Sequence, residues 1–263
     1  MLQLNKEFKE IWRGADPYEL LEAAEGKVYR QVESRRTFQT YLNGKSYFVK
    51  LHFGVGWSEI FKNIFQLKIP VISAKNEWEA INKLHELKIS TMKAVAYGKK
   101  GLNPSTVKSF IVTEDLVDTI SLEDFCRDWR TARPEFGLKA KLISKIARVS
   151  RVLHQNGVCH RDFYICHFLL HKPSLIDSQN PELFIIDLHR AFIKNRLGKR
   201  WIEKDIAGIF FSAMDIGLTR RDLFRFIRIY SGKSLRESLT IDAGFWHNVN
   251  RRAQSLYKKL SIT

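Results

Sequence analysis

The chain has 263 residues, room for one large domain or two lobes, and its 44% hydrophobic and 27% charged residues suit a folded globular protein. No apolar run reaches the length of a bilayer span, and Met1 to Phe8 is polar and charged without a following apolar core; a spanning helix and a secretory leader are therefore not expected, and the cytosol is the expected compartment. Lys and Arg total 44 against 28 Asp and Glu, a formal charge of +16, which favours a polyanionic partner: nucleic acid, an anionic membrane surface, a phosphorylated or acidic glycan, or an acidic protein.

In chain order, Val28 to Val32 and Thr37 to Leu42 are predicted strands, Asn43-Gly44 is a hairpin turn, and Ser46 to Leu51 returns as a third strand. Apolar residues at Trp78, Ile81, Leu84 and Leu87 have the spacing of a buried helix face, so Ala74 to Leu87 is predicted helical. Met92 to Tyr97 and Ser109 to Thr113 are further strands, and Glu114 to Asp118 is the natural linker to the second half of the chain. That half is mostly helical: Leu138, Leu142, Ile146, Val149 and Leu153 form one stripe ended by Asn156-Gly157, and further helices are expected over Trp201 to Met214, Arg220 to Tyr230 and Phe245 to Leu260. The three cysteines, Cys126, Cys159 and Cys166, have no metal-site spacing. Cys159 and Cys166 lie among apolar residues and read as small buried hydrophobes.

The chemistry concentrates in two segments. Val158-Cys159-His160-Arg161-Asp162 places a carboxylate on a loop after a helix, and Leu183-Phe184-Ile185-Ile186 delivers Asp187 at the end of a short apolar strand. This is the layout of a kinase catalytic loop and its metal-binding Asp: His160, Arg161 and Asp162 form the catalytic group, with Asp162 orienting an attacking hydroxyl and Asp187 holding Mg²⁺ against the ATP phosphates. Lys50 ends the third strand, where such enzymes place the lysine that grips the α and β phosphates, and Glu77 on the following helix is its expected partner. Glu79 is the other candidate but lies nearly opposite on the helix. Lys204-Asp205-Ile206-Ala207 reads either as the start of a helix whose Asp buttresses the catalytic loop or as an ordinary Asp in a first helical turn.

Three features depart from the protein-kinase pattern. The loop Glu33-Ser34-Arg35-Arg36 has no glycine with which to cradle phosphates; Arg35 and Arg36 either supply charge to the nucleotide there or form a solvated hairpin tip. His167 stands five residues beyond Asp162, at the place of an Asn metal ligand, and imidazole is a softer ligand than Mg²⁺ prefers. The short interval from Asp187-Leu188-His189 to Asp205 leaves little room for an activation segment, which argues against a peptide substrate.

Four stretches carry a more specific likeness. His160 to His167, His52 to Ile60, Pro70 to Ala74 before Glu77-Trp78, and Thr113-Glu114-Asp115-Leu116 together resemble the lipopolysaccharide core heptose I kinase family over essentially the whole chain. The resemblance implies an α+β, bilobal protein-kinase-like fold with a small antiparallel-sheet N-lobe and a mainly helical C-lobe. Residues 1–115 would form the nucleotide-binding lobe and 116–263 the catalytic and acceptor-binding lobe of one kinase-like domain. It also implies ATP and Mg²⁺ as cofactors and phosphorylation of the first heptose of the inner core, on a lipid-linked acceptor at the cytoplasmic face of the inner membrane. Asp162 becomes the catalytic Asp, Lys50 the phosphate lysine, Asp187 the metal ligand, and Glu114, Asp115 and Leu116 the hinge that meets adenine.

The basic charge suits that acceptor, whose phosphates and acidic sugars attract cations, and suits an anionic membrane surface or an acidic carrier protein equally. Candidate basic surfaces are Arg127, Arg130 and Arg133; Lys194 to Lys204; and Arg220 to Arg228 with Arg221 and Arg225. A nucleic-acid-binding module would lack zinc spacing, an aromatic RNP pattern or an evident reading helix, and would leave Lys50, Asp162 and Asp187 without a role, so no nucleic-acid partner is expected. A pseudokinase that binds acidic partners, or a kinase for another core sugar or a small molecule, would use the same residues.

Overall fold

The computed structural model describes residues 1–57, 60–61, 73–176 and 180–260, so most of the Pro70 to Ala74 stretch and part of the His52 to Ile60 stretch lie outside the described residues. The protein is a mixed α and β structure with antiparallel sheets and several helices. It divides into two compact units: Met1–Lys83 with Met92–Leu116, and Leu84–Thr91 with Val117–Thr263.

The first unit is built on a six-stranded antiparallel sheet. Its strands are β1 (Leu2–Leu4), β2 (Lys27–Val32), β3 (Arg35–Leu42), β4 (Lys45–His52), β5 (Ala94–Lys100) and β6 (Lys108–Glu114), in the order β1-β5-β6-β4-β3-β2. Two short helices, α1 (Lys6–Ile11) and α2 (Pro17–Ala23), start where Asn5 and Asp16 accept backbone N–H bonds as N-caps. They pack an aromatic core of Phe8, Trp12, Phe38, Tyr47 and Phe110 against the sheet, with Phe8 edge-on to Trp12 and Tyr47 at centroid distances of 4.8 and 5.2 Å. Strand alternation then decides the fate of Lys50. Val49 and Leu51 enter this core, so Lys50 between them points to the opposite face of the sheet. That face receives α3 (Lys75–Glu86), whose Trp78 stacks on Tyr97 of β5 and whose Ala74 N–H, just before the helix, donates to Ser109 Oγ of β6.

The second unit carries long helices and small pieces of sheet. The helices are α4 (Leu122–Phe125), α5 (Phe136–Gln155), α6 (Lys199–Ser212), α7 (Arg220–Ser231), α8 (Leu235–Thr240) and α9 (Ala243–Leu260). α5 ends at Asn156-Gly157 because Gly157 has φ +75° and a Cβ there would lie 1.6 Å from the Lys194 carbonyl oxygen. α6 and α9 share a core of Ile206, Ala207, Val249 and Ala253, flanked by Phe210, Tyr230, Phe245 and Trp246. Lys139 of α5 reaches α7, where it bonds Asp222 at 2.9 Å and the Gly217 carbonyl at 2.9 Å.

Strands absent from the sequence reading hold the loops of this unit. β7 (Thr119–Ser121) and β9 (Phe168–His171) join β10 (Leu183–Ile185), the short apolar strand that the sequence did predict before Asp187, in one sheet of order β10-β9-β7, and β8 (Val158–Cys159) pairs with β11 (Phe192–Ile193). Among the helices and sheets lies a cavity of about 240 Å³, lined by Ile143, Ile209, Phe210, Leu223, Ile227 and Trp246 among other apolar side chains.

Candidate active site

In the first unit Lys50 Nζ lies 2.6 Å from Glu77 Oε1. The lysine side chain is 15% and the glutamate 1% exposed, so this is a buried ion pair, and Glu77 Oε2 has no hydrogen-bond partner among the described residues. Glu79 faces solvent and pairs with Lys75 instead, which settles the choice that helix geometry favoured. Glu114 to Leu116 ends β6 with much of its polarity already committed. The Glu114 carboxylate pairs with Lys93, the Asp115 carboxylate accepts from Ser46 and Gln39, and the Glu114 and Asp115 N–H groups donate to the Lys93 and Ser46 carbonyls.

Arg35 and Arg36 need correction. The hairpin turn is only Glu33-Ser34, and both arginines lie within β3. Arg36 donates to the carbonyls of Glu22 and Ala24 and lies over the Phe38 ring, so it fastens the end of α2 to the sheet rather than standing at a loop tip ready for phosphates. The sequence placed these residues in the turn because a charged run hides the start of a strand.

In the second unit a single face of α6 organises the catalytic loop. Asp205, Gly208 and Ser212 recur at helical spacing. The Asp205 carboxylate accepts the N–H groups of His160 at 2.8 Å and Arg161 at 2.9 Å and faces His154 Nε2 at 3.4 Å. Gly208 lets the helix approach so closely that a Cβ would stand 2.8 Å from the Phe163 carbonyl oxygen, and Ser212 Oγ accepts the Ile165 N–H at 3.0 Å. The open choice over Asp205 is thereby resolved: it buttresses the loop, from the second turn of the helix. Burial pushes its carboxyl pKa up, but the bond and charge of His154 with the charge and N–H of His160 outweigh that, and the net pKa lies below the ordinary value.

His160 is therefore a positioning residue, which corrects its place in the catalytic group. Its ring is buried between Phe163 and His167, and Nε2–H donates to the Ile186 carbonyl at 3.0 Å, tying the loop to the stretch that carries Asp187. Burial first, and the neighbouring His167 with it, holds its pKa below the ordinary value despite the Asp205 charge. Arg161 also departs from the reacting centre: its backbone is left-handed at φ +73° and its side chain runs inward over Trp201.

Asp162 keeps a partly accessible carboxylate, 15% exposed, which Arg190 Nη1 engages at 2.7 and 3.0 Å. Sequence reasoning missed Arg190; in Leu188-His189-Arg190 nothing marks it off from any surface cation. Asp187 follows β10 in a left-handed conformation, φ +62°, and its Oδ1 accepts from His189 Nδ1. His167 links the two acids. Its Nδ1 lies 2.7 Å from the Asp162 carbonyl, which can only accept, so Nδ1 carries the proton and Nε2 faces Asp187 Oδ2 at 3.5 Å. The cysteines are inert hydrophobes, burial pushing the Cys166 thiol up to about 11 and Cys126 to about 12.

A strand lysine paired to a helix glutamate, and a buttressed loop presenting one acid beside a second at a strand end, define a phosphotransferase acting on an alcohol group. The chain belongs to the lipopolysaccharide kinase (Kdo/WaaP) family, whose family model matches residues 19–230. It is 49% identical over 258 residues to the lipopolysaccharide core heptose(I) kinase WaaP of Pseudomonas aeruginosa, covering 98% of this chain and 96% of that one. It is 43% identical to the protein of the same name from Escherichia coli, over 98% of each chain. A solved structure described as WaaP in complex with acyl carrier protein matches with a TM-score of 0.85 and 46% identity, over 98% of this chain and 99% of that one. Membership of a kinase family implies ATP as the phosphoryl donor. Among the described residues no helix is long and apolar enough to cross a membrane.

Proposed function

We propose that this protein transfers the γ-phosphoryl group of ATP to the first heptose of the lipopolysaccharide inner core, using a bilobal protein-kinase-like arrangement with a nucleotide-binding lobe over 1–115 and a catalytic and acceptor-binding lobe over 116–263. The observation that carries this reading is the buttressed loop: α6 spends one whole face on fixing the backbone around Asp162, in a chain whose full-length relatives are named heptose(I) kinases. In the proposed mechanism Asp162 accepts the proton of the attacking heptose hydroxyl, while Arg190 fixes the rotamer of its carboxylate. Lys50, held by Glu77, grips the α and β phosphates. The hinge Glu114 to Leu116 meets adenine through backbone groups other than the two N–H groups already committed within the sheet.

Magnesium is assigned to Asp187, with His167 Nε2 facing the same carboxylate. A magnesium ion that draws most of its ligands from phosphates and water needs only one or two from protein. That demand fits a site whose described residues gather no cluster of three or more ligating side chains. Held by Asp187, such an ion would supply positive charge to offset that of the phosphates.

The acceptor is lipid-linked and anionic, and the +16 chain is proposed to work as a peripheral protein at the cytoplasmic face of the inner membrane. An acidic carrier protein is a proposed second partner. The solved relative pairs with acyl carrier protein; here the exposed arginines 220, 221 and 228 of α7 offer charge complementarity, and the apolar cavity behind Leu223 and Ile227 offers a place for an acyl chain. The reading is tested by Asp162→Asn, which should leave the fold and ATP binding intact while lowering turnover about 10²- to 10⁴-fold; a folded variant with parental turnover rejects it.

A further inference from the structure

Arg161 carries a guanidinium that no side chain among the described residues hydrogen-bonds. The residue is 5% exposed, yet its side chain makes no hydrogen bond and no ion pair to any described residue, and its Nε is buried without a partner. Its one specific contact is the Trp201 ring, 5.7 Å from Cζ. A cation over an aromatic face recovers only part of what a buried, charged donor without a hydrogen-bond partner costs. The deficit is repeated nearby. Lys204, half-buried on α6, has the same ring 6.0 Å from Nζ and no carboxylate within salt-bridge distance among the described residues. Burial, and then the Arg190 charge, press both pKa values below their ordinary range, with Asp162 opposing. Arg190 itself is tied to Asp162. Asp205, the other acid at hand, has both oxygens committed to backbone N–H groups. Three cations therefore converge beside Asp162, and among the described residues one carboxylate is placed to answer them.

We propose that Arg161 and Lys204, with Arg190 at the edge, form an anion subsite beside Asp162 that holds a phosphate or carboxylate carried by an acidic sugar joined to the acceptor heptose, with Trp201 as its floor. The inference rests on the kinase reading above, since it takes the group engaged by Arg190 to be the acid that orients the acceptor hydroxyl. A charged substituent held there positions the acceptor, so Arg161 acts in substrate recognition and not in the chemical step. A buried guanidinium presents a planar fork of donors suited to such an oxyanion, and the anion restores the missing hydrogen bonds in a site of low dielectric.

Two measurements on the full-length protein test this, with inorganic phosphate as the probe. In thermal unfolding at fixed ionic strength, phosphate should raise the Tm of the parent protein saturably, and Arg161→Met and Lys204→Met should each lose most of that rise. In phosphate-free buffer Arg161→Met should be as stable as the parent or more so, because it removes an unanswered charge; a merely structural Arg161 would give a lower Tm with the phosphate effect intact, and that result overturns the proposal. In kinetics, phosphate should raise the KM for lipid-linked acceptor and leave that for ATP unchanged. Arg161→Met should raise the acceptor KM roughly ten- to a hundredfold, the loss of a charge-assisted bidentate contact, and abolish the phosphate effect. Phosphate that competes with ATP alone also overturns it. Should Arg161→Met fail to fold, Lys204→Met on the partly exposed helix face decides by the same readouts. If the parent transfers phosphate to no heptose acceptor the kinase reading fails while the unfolding measurement still decides the subsite; if transfer is normal and no Arg161-dependent phosphate effect exists, the subsite fails alone.

Discussion

Asp205→Asn isolates what the face of α6 contributes to catalysis. The carboxylate, 1% exposed, accepts two backbone N–H bonds at 2.8 and 2.9 Å, one on each oxygen. An isosteric amide keeps one acceptor and turns an NH₂ toward the other backbone N–H. The loss is one charge-assisted bond, about 1.5–3 kcal/mol, plus a buried unsatisfied donor, about 1–3 kcal/mol. A destabilisation of about 3–5 kcal/mol results, against an ordinary total of about 5–15. Because Asp205 holds the N–H groups immediately before Asp162, the surviving fold should present that acid imprecisely. Turnover should fall roughly ten- to a hundredfold while the KM for ATP changes little. Urea unfolding and initial-rate kinetics provide both quantities. The pH dependence supplies a sign. The folded pKa lies below the ordinary 3.8, so the contribution is full above that value and is lost as pH falls through the folded pKa. The gap between parent and variant should be constant from neutral pH to about 5 and close below about 4. A variant within about 0.5 kcal/mol of the parent, or a gap that widens on acidification, refutes the buttress.

Lys50→Met strands the buried Glu77 and should destabilise by about 3–5 kcal/mol; the double variant Lys50→Met/Glu77→Leu should recover much of that stability in urea unfolding but none of the ATP affinity, and recovery of both would sink the phosphate-lysine role. His167→Asn should retain substantial activity, since an amide oxygen can serve as a ligand to the metal or contact the phosphates, whereas His167→Leu should not; equal rates for the two would make His167 a packed loop residue. Reversing the charge of Arg220 and Arg221 should raise the KM for liposome-presented acceptor, as should salt that screens beyond about 8–10 Å, with the ATP KM nearly unchanged in both cases. Arg225 is unsuitable for this experiment, because it bonds Asp222 at 3.1 Å within the α7 capping box and its reversal would disturb the helix start.

Legibility in the sequence tracks the periodicities. Lys50 was legible because a strand of eight residues shows its alternation, and Glu77 because a helix fixes which of two acids faces inward. The buttress was half-legible: Asp205 was open to two readings, though Gly208 and Ser212 at helical spacing from it would have weighed toward contact with a loop. Strands of two to four residues such as β8 and β11 are too short to display a period, so of the small sheets that hold the second unit's loops only β10, a continuous apolar run before Asp187, was legible. Arg190, and the buried side chain of Arg161, depend on which cations a particular loop path turns inward, and that information is tertiary.

The central claim, phosphoryl transfer to the first heptose, is tested most directly by supplying ATP labelled at the γ-phosphate with defined core acceptors that carry or lack that heptose, for the parent protein and Asp162→Asn. The account predicts label on the heptose-bearing acceptor alone, dependent on divalent metal and reduced about 10²- to 10⁴-fold in the variant. Equal labelling of acceptor without the heptose, or undiminished transfer by folded Asp162→Asn, would contradict it.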